Sequence, residues 1–324
     1  MKAKFEVDIS PAALSSLEAH QALAILALDN CHHLSKNLRL PLGIYNVSVS
    51  RVAEKLAAFC GRLEMYFQTS NNLDELHEER KVRKELIDYM ELAIYAAAEH
   101  VDDIDSIAKG FFRSSQECEK HTAYRQLQKE IKKHKRFISA SANAIKHQQS
   151  RIRLFSNEFT HAGISGCLHG YFIEGVENGI VCPSSVFHKA QDVFSITTLA
   201  WEIILFILNS SRNLRSFLIS VTRPLAGPVN VQFDAFSKAV IAAARLPLYT
   251  FGEEHPFSQT TLSIRSSDGE STLLDSNIYG SILRRWSYSS DAQFGRFKSE
   301  FEGDGCSKSF RFAQPKTISF HHWQ

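Results

Sequence analysis

The sequence predicts an α+β protein: an N-terminal antiparallel helical bundle followed by a mixed helical and β-hairpin C-terminal region. Three observations predict it. Apolar residues recur at helical spacing through the first half of the chain. After residue 160 the pattern shifts to short apolar runs around an Asn-Gly turn. The final stretch is rich in Ser, Gly, Thr and aromatics, with short alternating segments. The expected division is a helical bundle over 1–160 and an α+β region over 161–324, the latter holding hairpins and a buried apolar helix.

The elements follow in order. Residues 12–33 carry Leu14, Leu17, Leu23, Ile25 and Leu26 at helical spacing, and Pro41 and Gly43 break the chain. Ser50 is placed to cap a second helix striped by Val52, Leu56, Phe59, Leu63, Tyr66 and Phe67. A third is expected over 74–99, with Val82, Leu86, Tyr89, Met90 and Ala93 on one face, and a short helix over 103–112. A fourth long helix is expected over 119–153. Cys167 to Glu174 reads as a strand, Glu177-Asn178-Gly179 as a turn, and Ile180-Val181 as the return strand ended by Pro183. Helices are expected again over 190–220 and 234–244. Thr261 to Arg265 and Ser271 to Leu274 form a second hairpin around Asp268-Gly269, and residues 311–320 a last strand.

The bulk numbers exclude several classes. With 324 residues, 44% hydrophobic and 22% charged, the chain has apolar material enough to offset its entropy, so disorder is not its main state. The net charge of +2 supplies no global field toward nucleic acid or membrane. Cys31, Cys60, Cys118, Cys167, Cys182 and Cys306 follow no disulfide framework, which fits a reducing compartment. Met1 to Asp8 lacks the apolar core of a signal peptide. Val193 to Leu208 contains Glu202 and is shorter than the roughly 20 residues of a spanning helix. A cytoplasmic protein with no membrane contact is expected.

The near-neutral total conceals a local asymmetry. Residues 71–119 hold 13 acidic and 6 basic groups. Residues 120–153 hold 10 basic groups and one acid, Glu130. Two readings fit. Two antiparallel helices attract each other through their exposed faces, or the fourth helix presents a polyanion site for RNA or DNA phosphates. Aromatics for base stacking are sparse here (Tyr124, Phe137 and Phe155), which points to backbone contact over base readout.

Position refines this. At 100° per residue, Ile131, Ile138, Ala142 and Ile145 fall within about 60° of one another and form the core stripe. Arg136, Asn143 and His147 fall within about 40° of one another, roughly 140° away from that stripe. A histidine on that line can act as general acid or base. Asn143 is placed to orient it or the substrate. Lys132, Lys133, Arg136, Lys146 and Arg151 are the candidate phosphate contacts. Together they could cleave RNA without metal, using the ribose 2′-hydroxyl as nucleophile.

The segment Asn143-Ala144-Ile145-Lys146-His147 resembles the motif of the higher eukaryote and prokaryote nucleotide-binding (HEPN) superfamily. Its members are four- or five-helix bundles, many of them dimeric, metal-independent RNases of toxin, CRISPR and phage-defence systems. Their motif is an Arg, a polar residue, then His four to six positions after the Arg. Asn143 and His147 match the last two, Ala142 stands where the Arg belongs, and Arg136 lies earlier on the same helical line. The resemblance covers at most residues 11–155. It implies an RNA-binding or RNA-cleaving protein of a bacterial defence or toxin type, with RNA and a second copy of the chain as partners. The alternative is a non-catalytic scaffold in which acidic and basic helices serve pairing or a protein partner.

No cofactor or metal is expected. Cys118 with His121, and Cys167 with His169, have approximate ligand spacing but lack paired knuckles. Cys31-His32-His33 reads as a helix end, and Asp102, Asp103 and Asp105 as an exposed loop or cap. No phosphate loop or nucleophile elbow is present. A small-molecule pocket fed by Tyr171, Trp201 and Arg215 is a further possibility.

Overall fold

The computed structural model describes residues 17–27, 31–69, 80–148, 150–161, 164–188, 193–222, 234–251, 262–265, 271–274, 288–290, 293–299 and 318–321. Within them the fold is α+β, with helices predominating and antiparallel strands added. Helix α1 (Glu18–Ala24) is followed by a 3-10 turn, Leu34–Lys36. The bundle then consists of α2 (Pro41–Thr69), α3 (Arg80–Lys109), the short α4 (Ser115–Lys120) and α5 (Thr122–His147).

Pro41 starts α2 rather than breaking the chain. Proline lacks only an N–H that a first turn leaves unused, and the Ile44 amide makes the opening bond to the Leu40 carbonyl at 3.0 Å. From there Tyr45, Val49, Val52, Leu56, Phe59, Leu63 and Tyr66 bury one long stripe. Helix α3 likewise runs unbroken where two helices are expected, because nothing between Glu99 and Asp103 interrupts it and Val101, Ile104 and Ala108 continue the buried face.

Conversely, the fourth expected helix is three elements. Ser114 accepts the Glu117 amide at 3.2 Å while Glu117 accepts the Arg113 amide at 3.0 Å, which caps α4. The chain turns at His121, whose extended φ and ψ separate α4 from α5. Helix α5 stops at His147, and residues 152–153 already belong to a strand. Asp105 ties α3 to α5 by accepting from Tyr124 Oη at 2.7 Å and Gln128 Nε2 at 2.6 Å.

Strands β1 (Ile152–His161), β2 (Ile164–Glu177), β3 (Ile180–Pro183) and β4 (Phe194–Ser195) follow. Helices α6 (Ile196–Val221) and α7 (Asp234–Ala244) come next. Short strands complete the chain: β5 (Leu248–Thr250), β6 (Leu262–Arg265), β7 (Ser271–Leu274), β8 (Tyr288–Ser290), β9 (Gln293–Ser299) and β10 (Ile318–His321). The main sheet has the order β3-β2-β1-β9, with β4 also on β2, all antiparallel. Asn178 (φ 53°) and Gly179 (φ 76°) make the β2–β3 turn, as a two-residue hairpin requires. The β6–β7 hairpin also pairs as the sequence suggests.

Both faces of β1 are covered. Ile152 and Leu154, with Tyr171 and Ile173 across the pair, join the bundle core. Phe155, with Leu168 and Phe172, joins a second cluster with Val193, Tyr249 and Phe251. The first core runs continuously from Leu17 to Leu246, so the expected boundary near residue 160 falls inside β1. Helix α6 is buried all round over Ile196 to Ile207, and among the described residues no helix is long and apolar enough to cross a membrane.

A candidate polyanion site where α5 ends

Helix α5 is amphipathic as its sequence predicts. Ile131, Ile138 and Ala142 are buried and Ile145 is half-buried. Asn143 and His147, one turn apart, are both exposed on the opposite side. Lys129, Lys132 and Lys135 are exposed further back along the helix. Arg136 and Lys133 lie on the same helix, but their side chains fall outside the described residues. Lys132 precedes His147 by about 22 Å of helix, so it extends a basic track rather than joining the histidine.

The last turn gathers a local group. Lys146 is exposed, and its ammonium lies 4.4 Å from the centroid of the Tyr95 ring on α3, a cation–π contact. It also stands where the terminal carbonyls of α5 favour a cation. Arg151 is exposed in the link from α5 to β1, not on a helix; its carbonyl accepts the Glu174 amide at 2.9 Å, which fixes that link to the sheet. Its guanidinium acts electrostatically on Glu91, half-buried on α3 one turn before Tyr95. Burial holds the Glu91 carboxyl above its ordinary value and Asp88 adds to that; Arg151 and a hydrogen bond from Tyr95 act in the opposite direction. The Tyr95 hydroxyl is raised by its own burial and by Glu91.

Glu91 and Tyr95 are therefore members of this group that the motif around His147 does not reveal. Their spacing of four residues marks them as neighbours on one helix face. That this face meets the end of α5 is decided by packing alone.

Arg153 leaves the basic set. It sits in β1, buried, with Nε donating to Glu174 Oε2 at 2.7 Å. Three acids of α3 are engaged elsewhere: Glu85 and Glu99 pair with Arg62 and Arg51 of α2, and Asp105 takes Lys109 of its own helix at 2.6 Å. Among the described residues no salt bridge joins an α5 lysine to an α3 carboxylate.

The remaining clusters are structural. His33 Nδ1 lies 2.9 Å from Cys31 Sγ and Nε2 lies 3.0 Å from the Ile107 carbonyl; burial pushes this imidazole down to about 4. Cys118 is buried and its thiol is pushed up to about 11, first by burial. His169 is buried, with Nδ1 2.8 Å from Ser156 Oγ. Among the described residues no three His, Cys, Asp or Glu side chains are placed to hold a metal ion. Tyr171 and Trp201 are buried, whereas Arg215 faces solvent and lies 3.6 Å from Glu18. Trp201 and Arg215 stand about 21 Å apart along α6, so these three line no common pocket. A shallow groove of about 270 Å³ lies between α5 and α6, with Leu127 and Phe217 at its floor and Gln126, Glu130 and Asn213 on its rim.

No protein-family model, no curated protein and no solved structure matches this chain.

Proposed function

We propose that this protein binds RNA through the solvent side of α5 and cleaves it without metal at His147. The observation that carries this reading is the exposure of Asn143 and His147 on one line of α5, with Lys146 exposed next to His147 in sequence and Arg151 exposed in the link that follows. The α5 lysines, not bridged to α3 carboxylates among the described residues, continue that surface as a phosphate track. The resemblance of the Asn143–His147 segment to HEPN RNases agrees with it.

In the reaction, the imidazole accepts the proton of a ribose 2′-hydroxyl. The 2′-oxygen attacks the adjacent phosphorus, the bond to the 5′-oxygen breaks, and that oxygen leaves with a proton from water or imidazolium. Lys146 and Arg151 supply positive charge where the phosphorane gains negative charge. Asn143, one turn before His147, is the positioning residue. A bacterial defence or toxin setting suits such an activity, and a second copy of the chain is the expected partner.

The test uses fluorescein-labelled single-stranded RNA. Binding should weaken with salt by about 0.7 log units per log unit for each phosphate neutralised. His147→Ala should abolish cleavage and retain binding. Intact RNA with no salt-dependent binding overturns the proposal.

A second reading, a non-catalytic scaffold, is favoured by one observation. Lys146 is engaged by Tyr95, and Arg151 is partly offset by Glu91, within the molecule itself. Stable co-purification with a protein partner, without RNA binding, would support it.

A further inference from the structure

We infer that Asp103, Ser48 and His100 form a proton-operated clasp: one proton taken up from solvent at the Asp103 carboxyl completes a hydrogen-bond relay that ties α2, α3 and α6 together.

The relay is one hydrogen short when Asp103 is ionised. The Ile207 carbonyl can only accept, and Ser210 Oγ donates its hydrogen to it at 2.9 Å. The Ser210 oxygen then accepts from His100, whose Nε2 lies 3.0 Å away, so Nε2 carries the hydrogen of the neutral ring and Nδ1 is a bare acceptor. Ser48 Oγ lies 2.8 Å from that Nδ1 and also hydrogen-bonds the Asp103 carboxyl. One Ser48 hydrogen therefore faces two acceptors. Turned to the charged carboxylate, it leaves Nδ1 against an oxygen lone pair in a sealed interior, an unsatisfied acceptor that burial makes costly. Turned to Nδ1, it leaves the carboxylate opposite the serine oxygen with no hydrogen between them. A protonated Asp103 removes the conflict. Its hydroxyl donates to Ser48, Ser48 to Nδ1, Nε2 to Ser210, and Ser210 to Ile207.

Position makes the carboxyl the point of entry. Ser48, His100 and Ser210 are buried, and the rings of Tyr45 and Phe206 stand edge-on to the imidazole, 6.1 and 5.6 Å between centroids. Asp103 follows His100 by three residues on α3 and so shares its face, yet it is only half-buried. Complete burial of the ring, which pushes His100 down to about 3, keeps the added hydrogen on the carboxyl and off Nδ1. Burial also raises Asp103; Ser48 and Arg51 of α2 oppose the rise, and Glu99 and Asp102 of α3 add to it. No charge from α5, α6 or β1 acts on Asp103 among the described residues. Arg51 is itself paired with Glu99. Because the folded value is raised, the contribution of this carboxyl to stability is complete below its ordinary value and is lost as pH rises through the raised one. Its sign is opposite to that of a histidine buried neutral.

The experiment combines urea unfolding of the full chain at about pH 7 with nitrogen NMR of the His100 ring from about pH 8 to about pH 5. Asp103→Asn sets a permanent donor against Ser48 and should raise the folding constant about 5-fold, as expected for one hydrogen bond. Asp102→Asn removes an exposed charge of the same helix without adding a donor to the relay, and should give a smaller change. In a Ser48→Ala background the gain from Asp103→Asn should shrink to that of Asp102→Asn. The ring signal needs no serine variant. Nδ1 of the wild type should move from an unbonded to a hydrogen-bonded shift as pH falls, and Asp103→Asn should hold the bonded shift throughout. Equal effects of Asp103→Asn and Asp102→Asn overturn the inference. So does a gain that survives Ser48→Ala, or a wild-type Nδ1 shift that does not respond to pH.

Discussion

Nδ1 of His100 lies 2.8 Å from the Ser48 hydroxyl oxygen, at the sealed centre of the bundle. Its other nitrogen, Nε2, lies 3.0 Å from Ser210 Oγ, so one imidazole joins α2, α3 and α6. The Ser210 hydroxyl donates to the Ile207 carbonyl at 2.9 Å. Nε2 is therefore the protonated nitrogen, and Nδ1 faces the Ser48 hydroxyl, which also hydrogen-bonds Asp103. Burial pushes this histidine down to about 3, so it stays neutral in the fold.

Burial of this imidazole should make the protein acid-labile. An unfolded chain takes up the proton below about pH 6.5, whereas the folded one refuses it until about pH 3. The unfolded state binds more protons across that window, so stability falls as pH drops. The slope is about 1.4 kcal/mol per pH unit for each such group. His33, pushed down to about 4, adds to the same loss, and His20 shifts in the same direction. Urea unfolding from about pH 7 to about pH 5 measures it, and His100→Gln should flatten the profile. A profile already flat in the wild type contradicts the assignment.

The buried Arg153–Glu174 pair predicts an asymmetric mutant series. Arg153→Met alone strands a carboxylate inside the sheet and should cost about 3–5 kcal/mol. Arg153→Met with Glu174→Leu removes both charges and should recover most of that loss. Chemical denaturation of the three proteins gives the comparison.

Two glycines should respond to alanine with opposite signs. A Cβ on Gly170 would stand 2.5 Å from Val193 Cγ1 and 2.7 Å from the Phe194 carbonyl oxygen, which is backbone paired to the same strand. Gly170→Ala should destabilise by about 2–3 kcal/mol. Gly61, within α2, has nothing within 4 Å of such an atom. Gly61→Ala should stabilise by about 0.5–1 kcal/mol through helix propensity. Thermal or urea midpoints read both.

Exposure at the end of α5 separates stability from function. His147→Ala and Asn143→Ala should leave unfolding free energy within about 0.5 kcal/mol of wild type. Any loss of RNA cleavage is then chemical. Lys132→Gln should lower the salt slope of RNA binding by about 0.7 and leave the His147 effect unchanged.

Local regularities were legible wherever they had one dominant signal. The α5 stripe of Ile131, Ile138 and Ala142 lies buried with Asn143 and His147 opposite, because a 3.6-residue period fixes relative direction once a helix forms. Asn178-Gly179 turns where two positive φ angles are needed, and few other pairs adopt them so readily. Strand β1 was not legible. Its residues 152–157 are buried on both faces, so no alternation marks them, and Ile152 and Phe155 fit a helical period equally well.

The amino-acid order alone thus determined the apolar stripes of the helices, the Asn178-Gly179 and β6–β7 hairpins, and which side of α5 meets water. Tertiary structure decided the rest: that Arg153 is sealed against Glu174 while Arg151 is open, and that Tyr95 of α3 carries the Lys146 ammonium. Helical periodicity is set by bonds between near neighbours, so it can be read locally. The meeting of Tyr95 on α3 with Lys146 at the end of α5 depends on how two long helices settle over a shared core, and no spacing within either helix encodes that.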